Sequence, residues 1–372
     1  MTRIDDLIAQ LAPTGVIRKA LGEVVRNLDS QRRPVTRSDR QAGGYPYYGA
    51  NGIQDYVEDY IFDGTFLLMG EDGSVMGRDG SPVLNWATGK IWVNNHAHVL
   101  HAKTEDLDLR YLFYYLQTVD ISSYVTGGTQ LKLNQGNLNR IPVPVPPIPV
   151  QREIVRILDH FTELEAELEA ELEARHVQYS FYRDHLLTVR EDGAIRKVPL
   201  SEIAVFRRGT AITAKQTMRG EVPVVANSPV PVYSHNESNR TGETIVIARS
   251  GAYAGFVSFW DTPIFLTDAF SIHPNVDQFR PKFVFYWLQA QQESLHALKK
   301  GAGVPHVRVS EIESRQIPVP SLDDQDRIVG ILDKFDVLLN DLSVGLPAEL
   351  NARRQQYEYY RDRLLTFEEA AA

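Results

Sequence analysis

The strongest constraint on the fold is an internal repeat, in which three sequence phrases occur twice in the same order. The phrases are Ile-Pro-Val-Pro, a segment from Gln to Ile-Leu-Asp, and a tyrosine-rich segment ending in Leu-Leu-Thr. The first copies lie at 141–144, 151–159 and 179–188, and the second copies lie at 317–320, 325–333 and 357–366. Because the copies are 174 to 178 residues apart, the repeat indicates a duplicated domain and not a solenoid unit.

The sequence between these phrases diverges, which suggests two variable globular domains joined to two similar helices. In chain order, we expect an N-terminal helix at 1–14, a first globular domain at 15–145, a central helix at 146–190, a second globular domain at 191–320 and a C-terminal helix at 321–372. Short apolar runs alternate with turn residues at 45–100 and 222–272, so both globular domains are predicted to be strand-rich and of the α+β class. Each should also contain one clear helix, Leu109–Val119 in the first and Pro281–Leu298 in the second.

Residues 151–188 are predicted to form one long helix behind a stiff, extended lead-in from Pro142 to Pro149. Apolar and aromatic residues recur there at steps of three and four, with glutamates on the outer face. About 38 residues at 1.5 Å each give a rod of about 57 Å. The second copy repeats this seam as far as Leu342, and Ser343–Pro347 should then kink or break it. We expect the two helices to pair as an intramolecular coiled coil, and the alternative is that each folds back on its own globular domain.

Composition bears on location and on partners. The chain has 372 residues, no cysteine and a formal net charge of −9. The two helical segments, 151–190 and 321–372, carry all of the excess acid, and the two long segments together are neutral. Either long segment could therefore present a basic face while the acidic helices face protein. With no membrane-length apolar run and two acids near the N-terminus, a cytoplasmic protein is expected.

Catalytic signatures are missing from the sequence. It holds neither a phosphate-binding GxxxxGK[ST] loop nor an HExxH zinc motif. Gly70–Ser74 is interpreted as the connection of a β-hairpin. His96 and His98 could share a strand face and bind a metal, but no third ligand lies nearby in sequence. We therefore predict no catalytic residue and no metal site.

Two polar segments are better candidates for binding. Residues 126–140 are rich in amides and cations, and residues 299–308 form their basic counterpart. Amide, arginine and lysine side chains read base edges and bind phosphates. Arg32, Arg33 and their neighbours add a basic stretch. Each segment could alternatively be an ordinary polar loop, but their occurrence in both repeats favours contact with nucleic acid.

Several phrases resemble one known family. Gly44–Tyr56, Gly70–Val75 and Asn95–Leu100 resemble the target recognition domains of specificity subunits of type I restriction-modification systems. The repeated Ile-Pro-Val-Pro and Gln-led segments resemble the same family, and the resemblance covers nearly the whole chain. The resemblance implies two α/β target recognition domains separated by two long antiparallel helices with a pseudo-twofold repeat. The first residues, Thr2 to Leu11, should then lie beside the end of the C-terminal helix.

The resemblance also implies a function. Such subunits are non-catalytic, each recognition domain reads one half of a split double-stranded DNA site, and the helices set the spacer. Two modification subunits dock on the chain, carry S-adenosylmethionine and methylate adenine. Restriction subunits that use ATP and Mg²⁺ complete the endonuclease, and no cofactor is expected on this chain itself.

We expect DNA contact from basic, amide and aromatic side chains of both domains: Arg32, Arg33, Tyr47, Asn51, Lys90, Gln130, Lys132, Asn134, Gln135, Arg207, Arg208, Asn227, Arg249, Lys299, Lys300, His306 and Arg308. Contact with partner subunits is expected from apolar residues of the helices: Phe161, Leu164, Leu168, Tyr182, Phe335 and Tyr360. Two other functions stay open from the residues alone. One is a coiled-coil scaffold without DNA specificity, and the other is an orphan DNA binder without enzyme partners.

Overall fold

The computed structural model describes residues 3–188, 196–300, 305–341 and 343–370. The chain divides into two compact units, which we call unit 1 (residues 1–167 and 350–372) and unit 2 (residues 168–349). Both units combine strands and helices, as the α+β prediction requires.

The first half of the chain contains α1 (Arg3–Leu11), β1 (Arg18–Ala20), α2 (Leu21–Val24), β2 (Val25–Asn27), β3 (Ala42–Gly49), β4 (Gly52–Val57), β5 (Phe62–Gly70), β6 (Leu84–Val93), β7 (Ala97–Ala102), α3 (Leu109–Leu116), α4 (Gln135–Leu138), β8 (Pro142–Pro144) and α5 (Ile148–Leu187). The second half contains β9 (Lys197–Pro199), α6 (Leu200–Ile203), β10 (Ala204–Arg208), β11 (Val222–Val225), β12 (Tyr233–His235), β13 (Thr244–Ala248), β14 (Val257–Trp260), β15 (Phe265–Leu266), β16 (Ala269–Pro274), α7 (Pro281–Gln289), α8 (Gln292–Ala297), α9 (Val309–Glu313), β17 (Gln316–Pro318), α10 (Leu322–Asn340) and α11 (Leu346–Leu364).

The main sheets show the duplication. In the described part of unit 1, six strands lie in the order β2-β7-β5-β6-β3-β4, and only the β3–β6 pair is parallel. In unit 2, a four-stranded antiparallel sheet has the order β10-β16-β13-β14. The sets β2-β7-β5-β6 and β10-β16-β13-β14 therefore correspond strand for strand. Gly70–Ser74 begins the connection between the antiparallel neighbours β5 and β6, so its interpretation as a hairpin connection is confirmed.

The repeated Ile-Pro-Val-Pro phrase forms a short strand in each unit. β8 pairs antiparallel with β1, and β17 pairs in the same way with β9. The extended lead-in is shorter than predicted, because α5 begins at Ile148 and contains Pro149 in its first turn. Proline is compatible with that position, since the N–H groups of a first helical turn have no intrahelical acceptor.

The repeated glutamine is structural in both copies. The side chain of Gln151 is fully buried; its Oε1 accepts from Asp108 N at 2.8 Å and its Nε2 donates to Pro146 O at 2.7 Å. Gln325 does the same in unit 2 with Arg280 N at 2.8 Å and Pro320 O at 3.1 Å. Each glutamine thus satisfies backbone groups at the junction between a globular domain and its helix.

A second repeated contact fixes each long helix to its own globular domain. Tyr114 of α3 donates its hydroxyl to Asp159 of α5 at 2.5 Å, and Tyr286 of α7 donates to Asp333 of α10 at 2.6 Å. Each long helix therefore packs on its own globular domain, as the alternative prediction states.

The helices also pair with each other inside unit 1. Phe161 of α5 stacks on Tyr360 of α11 with ring centroids 5.6 Å apart, and Arg354 donates to Glu165 at 2.6 Å. Residue numbers rise along α5 as they fall along α11, so this pair is antiparallel. Ile4 of α1 is buried in the same apolar cluster as Leu365, which agrees with the expected position of the N-terminal segment.

Two helix predictions have different outcomes. The break in the second long helix is confirmed, because α10 ends at Asn340 and α11 begins at Leu346; Leu342 lies outside the described residues. The single helix predicted over Pro281–Leu298 was wrong, since the structure divides it into α7 and α8. The side chain of Gln292 holds α8 to the start of β14, donating to Gly255 O at 2.7 Å and accepting from Val257 N at 3.0 Å.

Candidate nucleic-acid interface

The predicted polar segment of unit 1 forms a tight hairpin at the end of β5. Thr126 and Lys132 exchange two backbone hydrogen bonds of 2.8 and 2.7 Å. Lys132 also forms an antiparallel bridge with Asp72, which follows β5. Gly127 has a φ of +99°, and a Cβ there would lie 2.2 Å from Gln130 O, so only glycine fits. We call residues 126–133 the unit 1 hairpin, and its tip is exposed.

Unit 2 carries the same arrangement at the end of β13. Lys300 and His306 exchange backbone hydrogen bonds of 3.1 and 3.0 Å, and His306 forms an antiparallel bridge with Ser250. We call the described residues 299–300 and 305–308 the unit 2 hairpin; Gly301 and Gly303, which come between them in the sequence, lie outside the described residues. The two polar segments chosen from sequence thus occupy equivalent places in the two units.

Backbone contacts fix the equivalence residue by residue. Leu133 N donates to Glu71 O at 2.8 Å, and Val307 N donates to Arg249 O at 3.0 Å. Glu71 therefore corresponds to Arg249, and Asp72 corresponds to Ser250. The strand register extends the match, because Gly70 pairs with Ala97 and Ala248 pairs with Ala269. His96 in unit 1 thus corresponds to Asp268 in unit 2.

Four predicted DNA-binding residues meet in unit 2. A cleft of about 400 Å³ is lined by the side of the hairpin and the ends of the strands, and its lining includes Arg208, Arg249, His306 and Arg308. Asp268 lies 3.8 Å from Arg249 beside the cleft and offsets part of this charge. The cleft still gathers three guanidinium groups at one sheet edge, a composition suited to a phosphate.

The electrostatics around β10 and β16 show the same excess of positive charge. Burial lowers the pKa of His273, and the charges of Arg207 and Arg240 lower it further. Burial and Arg207 likewise lower the pKa of Arg240. Arg240 is held in place by donating to Ser271 Oγ and to Arg208 O, each at 2.7 Å. Arg240 was not among the residues chosen from sequence, and no local pattern marks it.

In unit 1, two of the predicted basic residues, Arg32 and Lys132, are paired with carboxylates. Arg32 has a side chain only 12% exposed; it contacts Glu71 at 2.7 Å and Asp29 at 3.4 Å. Lys132 reaches Glu71 at 3.4 Å. Arg32 is thus a half-buried group whose charge is offset by two carboxylates, and only a small part of its side chain is accessible.

Tyr47 also departs from the expectation. It is 1% exposed, its hydroxyl accepts from Val35 N at 3.1 Å, and Arg40 lies over its ring at 4.1 Å. Its side chain is therefore a core group of the β3 region and cannot reach DNA. Asn134 is partly structural as well, since its Oδ1 accepts from Asn137 N at 2.9 Å and caps α4.

The remaining expected contacts are spread over both units. In unit 1, Arg33, Asn51, Gln130 and Gln135 are exposed, and Asn51 lies in the turn between β3 and β4. Lys90 pairs in register with Asp63 at the start of β5, so it lies at the opposite end of that strand from the unit 1 hairpin. In unit 2, Arg207 lies on β10, and Asn227 donates to Ser250 Oγ at 3.2 Å. Lys299 donates to Ala252 O at 2.6 Å, and Lys300 pairs with Glu311.

The expected partner-binding residues of the helices mainly contact this chain. Phe161 and Tyr360 stack on each other, and Tyr182 and Phe335 have ring centroids 6.0 Å apart. Leu164 and Leu168 are half-buried. The seam therefore serves intramolecular packing, while Phe181 and Tyr359 remain mostly exposed on the same helices.

The pair His96 and His98 does not form a metal site of its own. His96 pairs with Asp72, whereas His98 contacts Asp29. Among the described residues, the one group with metal-ligand geometry is Asp29, Glu71 and His98. Arg32 and Lys132 contact Glu71 there, so the charge of this carboxylate is already offset by cationic side chains.

Comparison with known proteins decides the family. The family model for the type I restriction modification DNA specificity domain matches twice, at residues 13–174 and 195–352. The chain belongs to this family. It is 34% identical over 373 residues to a putative type I restriction enzyme specificity subunit of Haemophilus influenzae, covering 94% of this chain and 95% of that protein. It is 32% identical over 294 residues to the EcoR124I/EcoR124II specificity subunit of Escherichia coli, covering 70% and 71%.

Solved structures agree on the fold. The S subunit of a type I restriction-modification system from M. genitalium aligns with a TM-score of 0.66 at 16% identity, covering 94% of this chain and 96% of that one. Specificity subunits are the non-catalytic, DNA-recognising members of type I systems, so this chain is a recognition subunit and not an enzyme by itself. Within its described residues, the helices are too short or too polar to cross a membrane.

Proposed function

We propose that each unit of this specificity subunit reads one half of a bipartite DNA site through its hairpin and the adjoining sheet edge. The observation that carries the proposal is the equivalent placement of the two hairpins, each bridged to the residues that follow the corresponding strand. The family domain occurs twice over the same two regions, which supports one recognition surface per unit.

The two surfaces differ in a way that suits different half-sites. The cleft of unit 2 offers Arg208, Arg249 and Arg308 for phosphates and guanine edges. The unit 1 hairpin offers Gln130 and Lys132, with Asn51 and Gln135 exposed in the same unit. Opposed charges at equivalent positions, such as Glu71 and Arg249, would favour different base edges. Arg33, Lys90, Arg207, Asn227, Lys299, Lys300 and His306 complete the proposed set of contacts.

The helices are assigned the roles of spacer and docking surface. α5 has 40 residues, which corresponds to about 60 Å at 1.5 Å per residue. Its glutamates repel phosphate, so this surface suits protein partners. Two modification subunits with S-adenosylmethionine would dock there and methylate adenine, and restriction subunits with ATP and Mg²⁺ would complete the complex in the cytoplasm.

Selection from a pool of random duplexes tests this function. The chain, purified together with its modification subunits, should enrich a motif with two short specified parts separated by a spacer of fixed length and free sequence. A matched variant, Arg249→Gln with Arg308→Gln, should lose only one of the two parts. A single continuous motif would contradict the two-unit proposal, and failure to enrich any motif would favour the scaffold alternative.

A further inference from the structure

A buried histidine lies between the core of unit 1 and its hairpin. His98 of β7 is 1% exposed. Its Nε2 is 2.8 Å from Leu133 O, at the base of the unit 1 hairpin, and its Nδ1 is 2.5 Å from Asp29 Oδ2. His98 thus connects the hairpin, through one ring, to a carboxylate of the segment that follows β2.

The ring of His98 thus faces two oxygen atoms at once, a carboxylate oxygen of Asp29 and the backbone carbonyl oxygen of Leu133. The charged groups around it are Asp29, Glu71 at 3.8 Å, Arg32 and Lys132. Burial opposes ionisation of Asp29, but the hydrogen bond and charge of His98, with the Val99 N–H and Arg32, lower its pKa overall.

Unit 2 holds its hairpin without this group. In register, Met69 pairs with His98 and Ile247 pairs with Phe270, so Phe270 takes the place of His98. The contacts there include the Ser250–Asp268 hydrogen bond and the bond from Asn227 to Ser250 Oγ at 3.2 Å. The two hairpins therefore differ in whether a buried histidine ring contacts the hairpin base.

Building on the function proposed above, we propose that His98 is the positioning residue for DNA reading by unit 1, and that its buried ring holds the unit 1 hairpin in reading position. His98 acts on DNA only through the hairpin. Loss of the ring leaves Leu133 O without this hydrogen-bond partner, which frees the hairpin base. Reading by unit 1 then weakens, while reading by unit 2, in which Phe270 takes the place of His98, is retained.

The test compares half-site selectivity in one assay. The chain assembled with its modification subunits is given a duplex library in which each half-site is varied separately. The half-site of unit 1 is the one whose discrimination falls in Lys132→Ala. His98→Gln is compared with His101→Gln on the same strand, because His101 is exposed and its ring is hydrogen-bonded to the neighbouring Ala102 O.

We expect His98→Gln to lower discrimination at the unit 1 half-site about tenfold, as loss of a buried hydrogen bond would. His101→Gln should leave that discrimination unchanged. Asp29→Asn should weaken the same half-site. Discrimination by unit 2 within the same molecules shows that each variant is folded.

Unchanged discrimination at the unit 1 half-site in His98→Gln would overturn the proposal, and so would an equal loss at both half-sites. Failure of the underlying function looks different, because the wild-type complex would then show no selective methylation of either half-site.

Discussion

Glu71 and Arg249 occupy equivalent positions in the two units but carry opposite charges. Each follows the central strand of its sheet, and each accepts a backbone hydrogen bond from the hairpin, from Leu133 N at 2.8 Å and from Val307 N at 3.0 Å. In unit 1 the carboxylate of Glu71 binds Arg32 and Lys132. In unit 2 the guanidinium of Arg249 lines the basic cleft. One scaffold thus presents two different chemistries at the same place.

The basic cleft predicts a specific salt dependence. Replacing Arg249 and Arg308 with glutamine should reduce the slope of log binding constant against log salt by about 2, because each phosphate that a cation neutralises contributes about one to that slope. Binding of a non-specific duplex at several salt concentrations measures the slope. Arg327→Gln on α10, where Arg327 pairs with Asp324 at 3.7 Å, serves as the control. A slope equal to that of wild type would remove the cleft from the phosphate-binding surface.

Asn134 should tolerate replacement by another helix-capping residue. Its Oδ1 caps α4 beside the unit 1 hairpin, so Asn134→Ala should cost about 1 kcal/mol of local stability and weaken reading of one half-site. Asn134→Asp keeps an acceptor and should retain most of that reading. Methylation of half-site variants separates the two outcomes. Equal losses in the Ala and Asp variants would instead indicate that the amide contacts a base directly.

The hydrogen bonds from Tyr114 to Asp159 and from Tyr286 to Asp333 should stabilise the folded chain. Tyr114→Phe and Tyr286→Phe should each lower the free energy of unfolding by about 1.5–3 kcal/mol, the range for hydrogen bonds to charged groups. Urea unfolding monitored by circular dichroism measures the change, with the exposed Tyr359→Phe as a control. If the loss in both variants matches that control, the hydrogen bonds do not anchor the helices.

The same residues predict a loss of stability at high pH. Burial and the hydrogen bond to Asp159 raise the pKa of Tyr114 to about 12, and burial and Asp333 raise the pKa of Tyr286. A tyrosine with a higher pKa in the folded chain stabilises the fold fully below about pH 10 and loses that contribution as pH rises through the folded value. The free energy of unfolding should therefore fall between about pH 10 and about pH 12, and it should fall less steeply in Tyr114→Phe than in the wild type. Identical pH profiles for variant and wild type would contradict this assignment.

The length of α5 should control the unread spacer. Inserting one heptad within residues 163–173 lengthens the helix by about 10 Å, or about three base pairs. The expected result is a longer spacer in the methylated motif or loss of activity. A variant of constant length, with glutamates of that segment replaced by glutamine, should retain the spacer. The original spacer in an active insertion variant would show that α5 is not the ruler.

The repeat explains why much of the fold could be predicted. Gln151 and Gln325, like Asp159 and Asp333, recur because each pair makes the same contact at the same junction. The periodicity of the helices is local, so their existence could be predicted while their first turns could not. The start of α5 at Ile148 depended on Pro149 fitting the first turn.

The recognition surface was harder to predict, because its charges are balanced by residues distant in sequence. Arg32 has the same local features as an exposed arginine, but the fold brings it to Glu71, which is 39 positions away. Asp29 and His98 are 69 positions apart, so their contact has no local signal. The two hairpins could be found because amides, cations and glycines lie close together in sequence.

The most direct test of the central claim is a long-read methylome of the host with and without this gene. If the chain provides DNA specificity, adenine methylation at one bipartite motif should disappear on deletion and return when the gene is restored. Substitutions in the two hairpins should then alter different halves of that motif. Retention of every methylated motif after deletion, in cells that otherwise produce this chain together with modification subunits, would contradict the account.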